Sequence, residues 1–273
     1  MARRIAIANQ KGGVGKTTTS VNLAAALGAA RFRTLLVDLD PQGNATMGSG
    51  VDKDALDASA LEWLTEDAPF SEVACRAAGL FQLVPANGDL TAAEVALLST
   101  EDRSTRLRSR LDEADSAFDF VIIDCPPSLN VLTLNALMAS HGVLIPMQCE
   151  YYPLEGLTAL LLTIRGVRQR GNPKLAIEGI LRTMYDPRNR LSRDVSRQLL
   201  KHFSNQVFRT VIPRNVRLAE APSHGLPVIQ YDAACTGARA YLALAAELQK
   251  RVAAHRAQTP NGGPPHTEAA NGH

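Results

Sequence analysis

The residues with the clearest chemical purpose are Lys11-Gly12-Gly13-Val14-Gly15-Lys16-Thr17-Thr18. Glycines let a backbone curl until successive N–H groups point at one centre. A lysine and a threonine follow the last glycine directly. Amide hydrogens, an ammonium and a hydroxyl in that order suit a polyphosphate and a hard cation. The spacing comes close to G-x-x-x-x-G-K-[ST], in which the lysine reaches the β- and γ-phosphates of a nucleotide and the hydroxyl holds magnesium. Gln10 takes the place of the first glycine, while Gly15-Lys16-Thr17 is intact. ATP and Mg2+ are the ligands this loop predicts. Lys11 is an additional lysine. It is either an ordinary solvated loop residue or a second ammonium able to reach the phosphates of a nucleotide bound nearby.

Carboxylates follow at two places. Asp38-Leu39-Asp40-Pro41-Gln42-Gly43 leaves a short apolar run. Strand alternation puts Asp38 and Asp40 on one side, although two turn-forming aspartates ahead of Pro41 are the plainer alternative. Phe118-Asp119-Phe120-Val121-Ile122-Ile123-Asp124 is an apolar strand ending in a carboxylate, the Walker B pattern, followed by the stiff turn Cys125-Pro126-Pro127-Ser128. Asp38 and Asp124 are expected to hold magnesium through water, and an attacking water also needs a carboxylate here.

The elements that must position these groups are legible as apolar runs. Strands are predicted at Arg4–Ala8, Thr34–Asp38, Phe81–Pro85, Phe118–Asp124, Val143–Met147, Ala176–Leu181 and Val207–Ile212. Helical patterns lie at Thr17–Ala30, Arg103–Ala114, Val131–Ser140, Leu154–Arg170, Leu191–Phe203 and Ala234–His255. Strand, loop, helix and strand in immediate succession make a βαβ unit, which implies parallel pairing. Near-continuous apolar strands alternating with helices predict an α/β layered fold, with a mainly parallel sheet covered by helices on both faces. That arrangement brings the glycine loop and both carboxylate motifs to the C-terminal edge of the sheet, where such folds bind ligands. One domain is expected over residues 1–256, and the Pro-, Gly- and Asn-rich stretch 257–273 is expected to be a disordered tail.

Composition narrows the remaining classes. Apolar residues are 45% and charged residues 21% of 273, globular values. Aromatics at 5% argue against a stacking platform for single strands. A net charge of +2 means that any basic surface must come from local clustering. Cys75, Cys125, Cys149 and Cys235 include no CxxC pair, so reduced thiols are expected rather than a metal or iron–sulfur site. No run approaches the length of a membrane span, and a cytoplasmic protein with no membrane partner is expected.

Taken together, the glycine loop resembles the deviant Walker A of the ParA/MinD ATPases. Asp38-Leu39-Asp40-Pro41-Gln42-Gly43-Asn44 and Ile122-Ile123-Asp124-Cys125-Pro126-Pro127-Ser128 are similar to that family's second and third motifs. Val211-Ile212-Pro213-Arg214-Asn215-Val216-Arg217-Leu218-Ala219-Glu220-Ala221-Pro222-Ser223-His224-Gly225 resembles the ParA/Soj chromosome-partition branch. The resemblance spans roughly residues 3–252 and implies a P-loop ATPase whose ATP-bound form is a sandwich homodimer. It implies that Lys11 contacts the partner's nucleotide, that Gly12 allows close packing across the dimer, and that Asp40 positions the hydrolytic water. Pro213 and Asn215 match positions near the adenine. The dimer is implied to bind double-stranded DNA without sequence preference, placing it on the nucleoid. A ParB-type centromere-binding protein is implied to stimulate an otherwise slow hydrolysis and to release the dimer, segregating chromosome origins or plasmids. The sequence opens directly on its first strand, so operator-specific repression through an N-terminal helix-turn-helix is not expected.

Arg193, Arg197 and Lys201 are four apart and share one face of the predicted helix, while Val195, Leu199 and Phe203 form an inward face. Alone, such a face reads as ordinary solvated arginines. With the resemblance it becomes a candidate DNA surface, with Arg217 as the first contact, then Arg193 and Lys201. Asp186 and Asp194 lie close enough for local pairing. Rival readings fare less well. A MinD-like membrane regulator needs a basic amphipathic C-terminal helix, which Pro260-Asn261-Gly262-Gly263-Pro264-Pro265 does not supply. An iron–sulfur scaffold needs paired cysteines, and a tyrosine autokinase needs a Tyr-rich tail, whereas 242–273 contain no Tyr. An ATPase adaptor that positions a protein complex rather than DNA uses the same motifs and stays open.

Overall fold

Eight strands form one sheet in this computed structural model, which describes residues 1–78, 80–149 and 153–258. In chain order the first elements are β1 (Arg3–Ile7), α1 (Lys16–Ala29), β2 (Thr34–Asp38), α2 (Asn44–Met47), α3 (Ala60–Thr65), α4 (Phe70–Val73), β3 (Cys75–Ala77), β4 (Phe81–Val84), α5 (Leu90–Leu98) and α6 (Arg106–Ala114). There follow β5 (Phe120–Asp124), α7 (Val131–Ala139), β6 (Gly142–Gln148), α8 (Pro153–Arg170), β7 (Ala176–Tyr185), α9 (Arg190–His202), β8 (Val207–Pro213), α10 (Val216–Glu220), α11 (Val228–Tyr231) and α12 (Thr236–Gln258). The strand order is β3-β4-β2-β5-β1-β6-β7-β8, and every neighbouring pair is parallel except β3 with β4.

The predicted α/β layered architecture is the one observed. Its central strands β1, β2 and β5 are apolar through their middle positions, with polar residues at their ends, because both faces are covered. Ile5, Ile7, Leu36, Phe120 and Ile122 pack into one core with α1 and α12, while Ala6, Leu35, Val37, Val121 and Ile123 pack into the other with α3, α5, α6, α7 and α8. Trp63, fully buried, anchors the second core.

Differences from the sequence reading are local. The helix expected from Arg103 starts at Arg106, and β7 extends to Tyr185 rather than stopping at Leu181. The sequence reading missed β3, a three-residue antiparallel edge strand, the short helices α2 to α4, α10 and α11, none long enough to show a period, and the nine-residue α5. Helix α12 runs to Gln258, and residues 259–273 of the expected tail lie outside the described residues.

Chain direction decides where ligands can go. From β1 the chain crosses to β2 on one side, and from β5 it later crosses β1 to reach β6 on the other. The C-terminal ends of β1, β2 and β5 therefore face a crevice at a topological switch point. No helix among the described residues is long and apolar enough to cross a membrane.

Candidate functional site

The loop after β1 is shaped by its own polar groups. The Asn9 side chain donates to Pro146 O at 2.7 Å and accepts from Lys11 N at 3.0 Å, which pins the start of the loop. Gly15 has φ +84, a left-handed conformation that side chains rarely adopt, and it serves as N-cap of α1 with no side-chain cap. The first turn of α1 thus offers its amides to whatever lies in front. A Cβ placed on Gly12 would meet nothing within 4 Å, so nothing inside the subunit demands a glycine there.

Lys16 is 7% exposed, and its Nζ donates to Lys11 O at 3.2 Å across the loop. Burial lowers its pKa, opposed by the carboxylates of Asp124 and Asp40 nearby. Thr17 Oγ1 donates to Asp124 Oδ2 at 2.8 Å and Ser20 Oγ to Asp124 Oδ1 at 2.7 Å. Walker-type strand and phosphate loop are thereby locked together. Asp38 stands opposite Asp124 in the β2–β5 ladder. Both are wholly buried. Burial pushes both carboxyls upward, and for Asp38 the charge of Asp124 adds to the push. Asp38 accepts from Thr46 N at 2.9 Å, Thr46 Oγ1 at 2.8 Å and Asp40 N at 3.1 Å. It holds the turn that carries Asp40.

Two cavities meet over Gly15, Thr18 and Met184. One, of about 810 Å³, is lined by Gly12, Gly13, Lys16, Thr17, Asp40, Gln42, Lys53 and Pro127 among others. The second, of about 420 Å³, is lined mainly by apolar surface from Ile212, Pro213, Val216, Leu218 and Tyr241, with Asn215 and Thr183. The Asn215 side chain caps α10 through Arg217 N at 2.9 Å and donates to Thr236 Oγ1 at 2.8 Å. A chamber bearing the Lys16 and Lys53 ammonium groups, continuous with a more apolar one, suits a ligand with a polyphosphate end and a flat ring end. Asp38 and Asp124 are absent from both linings and stand behind the wall, so neither touches a ligand directly in this conformation. Among the described residues no group of three or more His, Cys, Asp or Glu forms a metal cage. A hydroxyl backed by a carboxylate fits magnesium, which keeps several waters and takes its other oxygens from phosphate.

Ser20, Thr183, Met184, Lys53 and Tyr241 escaped the sequence reading. Ser20 had a usable signal, lying one helical turn beyond Lys16 and Thr17. Thr183 and Tyr241 had none.

The expected DNA residues divide. Arg193, Arg197 and Lys201 are exposed on α9, with Leu199 buried beneath and Val195 and Phe203 packed on the core. Arg197 pairs with Asp194 at 3.0 Å. Arg217 pairs with Glu220 at 2.8 Å and Asp232 at 3.4 Å. It belongs to α10, whose Leu218 packs in the α1–α12 core, whereas α9 packs on the opposite face. The structure does not gather Arg217 with the α9 cations. All four cysteines are free, with Cys125 and Cys149 buried.

Comparison with known proteins matches the chain to a family. Residues 2–177 match the AAA domain family. The chain is 51% identical over 252 residues to the chromosome partitioning protein ParA of Myxococcus xanthus, covering 92% of this chain and 89% of that one. It is 50% identical over 249 residues to the sporulation initiation inhibitor protein Soj of Bacillus subtilis, covering 91% and 98%. A crystal structure named cobyrinic acid a,c-diamide synthase from Mycobacterium smegmatis, with bound ADP and magnesium, superposes with TM-score 0.83 at 41% identity, covering 97% of this chain and 100% of that one. With the phosphate loop, both carboxylate strands and such identity over nine-tenths of its length, the chain belongs to the ParA/Soj family of P-loop partitioning ATPases.

Proposed function

We propose that the protein is a Mg2+-dependent ATPase that dimerises on ATP, binds double-stranded DNA without sequence preference, and is released when a ParB-type partner stimulates hydrolysis. The observation that carries this reading is the joined pair of cavities, cationic beside Lys16 and Thr17 and apolar beside Pro213. The apolar chamber takes the adenine, between Pro213 and Asn215. Lys16, the Gly12–Thr18 amides and the α1 N-terminus hold the phosphates. Thr17 would hold magnesium, with Asp124 and Asp38 behind it through water, and the ion would supply charge neutralisation on the phosphate oxygens.

Hydrolysis then needs positioning rather than a covalent intermediate. Asp40 orients water for in-line attack, and its turn is held by Asp38 and by Gln42 N, which donates to Asp40 Oδ1 at 3.0 Å. Lys16 offsets charge from within the subunit, and Lys11 does so across the dimer. Slow turnover by the isolated protein follows if the catalytic geometry is completed only with a partner. Arg193, Arg197 and Lys201 form the main DNA surface, with Arg217 a secondary contact because reaching phosphate requires it to leave Glu220 and Asp232. This assigns the protein to the nucleoid of the cytoplasm, as a carrier of chromosome origins or plasmids.

Binding to random-sequence duplex DNA, measured with ATP, ADP or no nucleotide at two salt concentrations, tests the reading. ATP-dependent, salt-sensitive binding is expected. No binding under any condition would favour the adaptor that positions a protein complex.

A further inference from the structure

Three consecutive residues near the end of β7 touch parts of the molecule that have different duties. Thr183, 2% exposed, donates from Oγ1 to Val14 O in the phosphate loop at 2.8 Å. Its Cβ and Cγ2 lie 3.9 Å from where a Cβ on Gly15 would stand, so it also backs the N-cap of α1. Met184 borders both cavities. It has φ +48, a conformation rarely adopted by a long side chain, and such strain concentrates at switch regions.

Arg182 points to the opposite face of the strand, as alternation requires. Its guanidinium donates to Ser196 Oγ of α9 at 2.9 Å, to Phe208 O at 3.0 Å and to Arg209 O at 3.1 Å. The β7–β8 register is irregular on both sides of Arg182, so a side chain here ties together strands whose regular ladder is interrupted. Ser196 lies on the inward side of α9, and the exposed cations Arg193, Arg197 and Lys201 lie on the outward side. A chain of buried contacts therefore runs from Val14 through Thr183 and Arg182 to Ser196.

We propose that β7 couples nucleotide occupancy to the position of α9, with Thr183 sensing the phosphate loop, Met184 as the strained joint and Arg182 as the positioning residue for the cation face. This rests on the ATPase reading, and its consequence for DNA rests on the DNA-carrier reading. Nucleotide filling the two cavities contacts Met184 from both sides and fixes the loop carbonyl that Thr183 grips. A shift of β7 at that point moves the guanidinium and, through Ser196, the helix. Neither Arg182 nor Ser196 needs to touch nucleotide or DNA for the effect.

The test is hydrogen–deuterium exchange of the α9 amides in the full chain, with ADP or a slowly hydrolysed ATP analogue, alongside binding of a fluorescent ATP analogue. Wild type is expected to exchange about tenfold differently at α9 between the two nucleotides. Arg182→Met and Ser196→Ala are expected to keep nucleotide binding and to lose most of that difference, Arg182→Lys to restore part of it, and Thr183→Val, compared at saturating nucleotide because Thr183 lines the apolar cavity, to lose it as well. Should Arg182→Met fail to fold, Thr183→Val and Ser196→Ala carry the test. Equal α9 exchange with either nucleotide in wild type overturns the proposal. So does a difference of undiminished size in Thr183→Val or Ser196→Ala. The ATP-to-ADP ratio of DNA affinities is measured on the same proteins. If wild type binds no DNA while α9 still responds through these residues, the coupling stands and the DNA-carrier reading fails.

Discussion

At the scale of single residues, the site separates groups that touch ligand from groups that hold them. Lys16 is buried, and its one acceptor among the described residues, Lys11 O, belongs to the loop it serves. Lys16→Ala is expected to reduce nucleotide affinity by more than a hundredfold, on the order of 3 kcal/mol for a charge-assisted contact, as equilibrium binding of a fluorescent ATP analogue would report. Retained affinity would remove Lys16 from the phosphate site. Asp40 borders the cavity while Asp38 stands behind it. Asp40→Ala should keep ATP binding and lose hydrolysis, roughly a hundredfold or more in kcat, trapping a dimer that still holds DNA. Phosphate release and DNA binding measured on the same preparation decide this, and a variant that neither dimerises nor binds DNA would contradict the role given to Asp40.

Among the elements, α9 and the β8–α12 seam give separable expectations. Arg193 and Lys201 have no ion pair among the described residues, whereas Arg217 has two. The double variant Arg193→Glu/Lys201→Glu should weaken DNA binding more than Arg217→Glu does, with ATP-dependent dimerisation intact. It should also flatten the dependence of log K on log salt by about one unit per lost phosphate contact. Equal effects would return Arg217 to first place. At the seam, Glu247 of α12 accepts from Arg209 N at 2.8 Å, Thr210 N at 2.9 Å, Thr210 Oγ1 at 2.8 Å and Arg251 Nη2 at 2.9 Å. Burial pushes this carboxyl up, but the bonds from Thr210, Arg209 and Arg251 outweigh it, and its pKa falls below the ordinary value. A carboxylate with a lowered folded-state pKa stabilises fully above its unfolded pKa, and that contribution is lost as pH falls through the folded value. Glu247→Gln should therefore cost about 1–3 kcal/mol near pH 7. In thermal melts the gap from wild type should shrink as pH drops below about 4.

For the whole molecule, the decisive question is whether ATP joins two subunits. The open space at Gly12 provides a probe, since a Cβ there meets nothing within 4 Å inside the subunit. Gly12→Val, compared at a saturating concentration of a slowly hydrolysed ATP analogue because Gly12 also lines the phosphate cavity, should sediment as a monomer where wild type sediments as a dimer. A dimeric Gly12→Val would mean that the face around Gly12 is not the seam.

Much of this protein was readable before any coordinates. Seven of the eight strands announced themselves as apolar runs, because a parallel sheet covered on both faces needs apolar side chains at nearly every position. The phosphate loop was legible because curling a backbone round an anion requires glycines in one short segment, and both aspartate strands were legible because they end in carboxylates at the same sheet edge. Strand β3 gave no such signal: three residues on an edge are too few for a period. Thr183 meets Val14 across 169 residues of sequence and Tyr241 meets Thr19 across 222. Local pattern carries no trace of such contacts. The burial of Asp38 and Asp124 behind the cavity, and the capture of Arg217 by Glu220 and Asp232, were likewise decided only by tertiary packing. Sequence by itself determined which chemical groups are present and which elements carry them. The folded structure decided which of those groups face the ligand, because exposure and ion pairing depend on neighbours brought from distant parts of the chain.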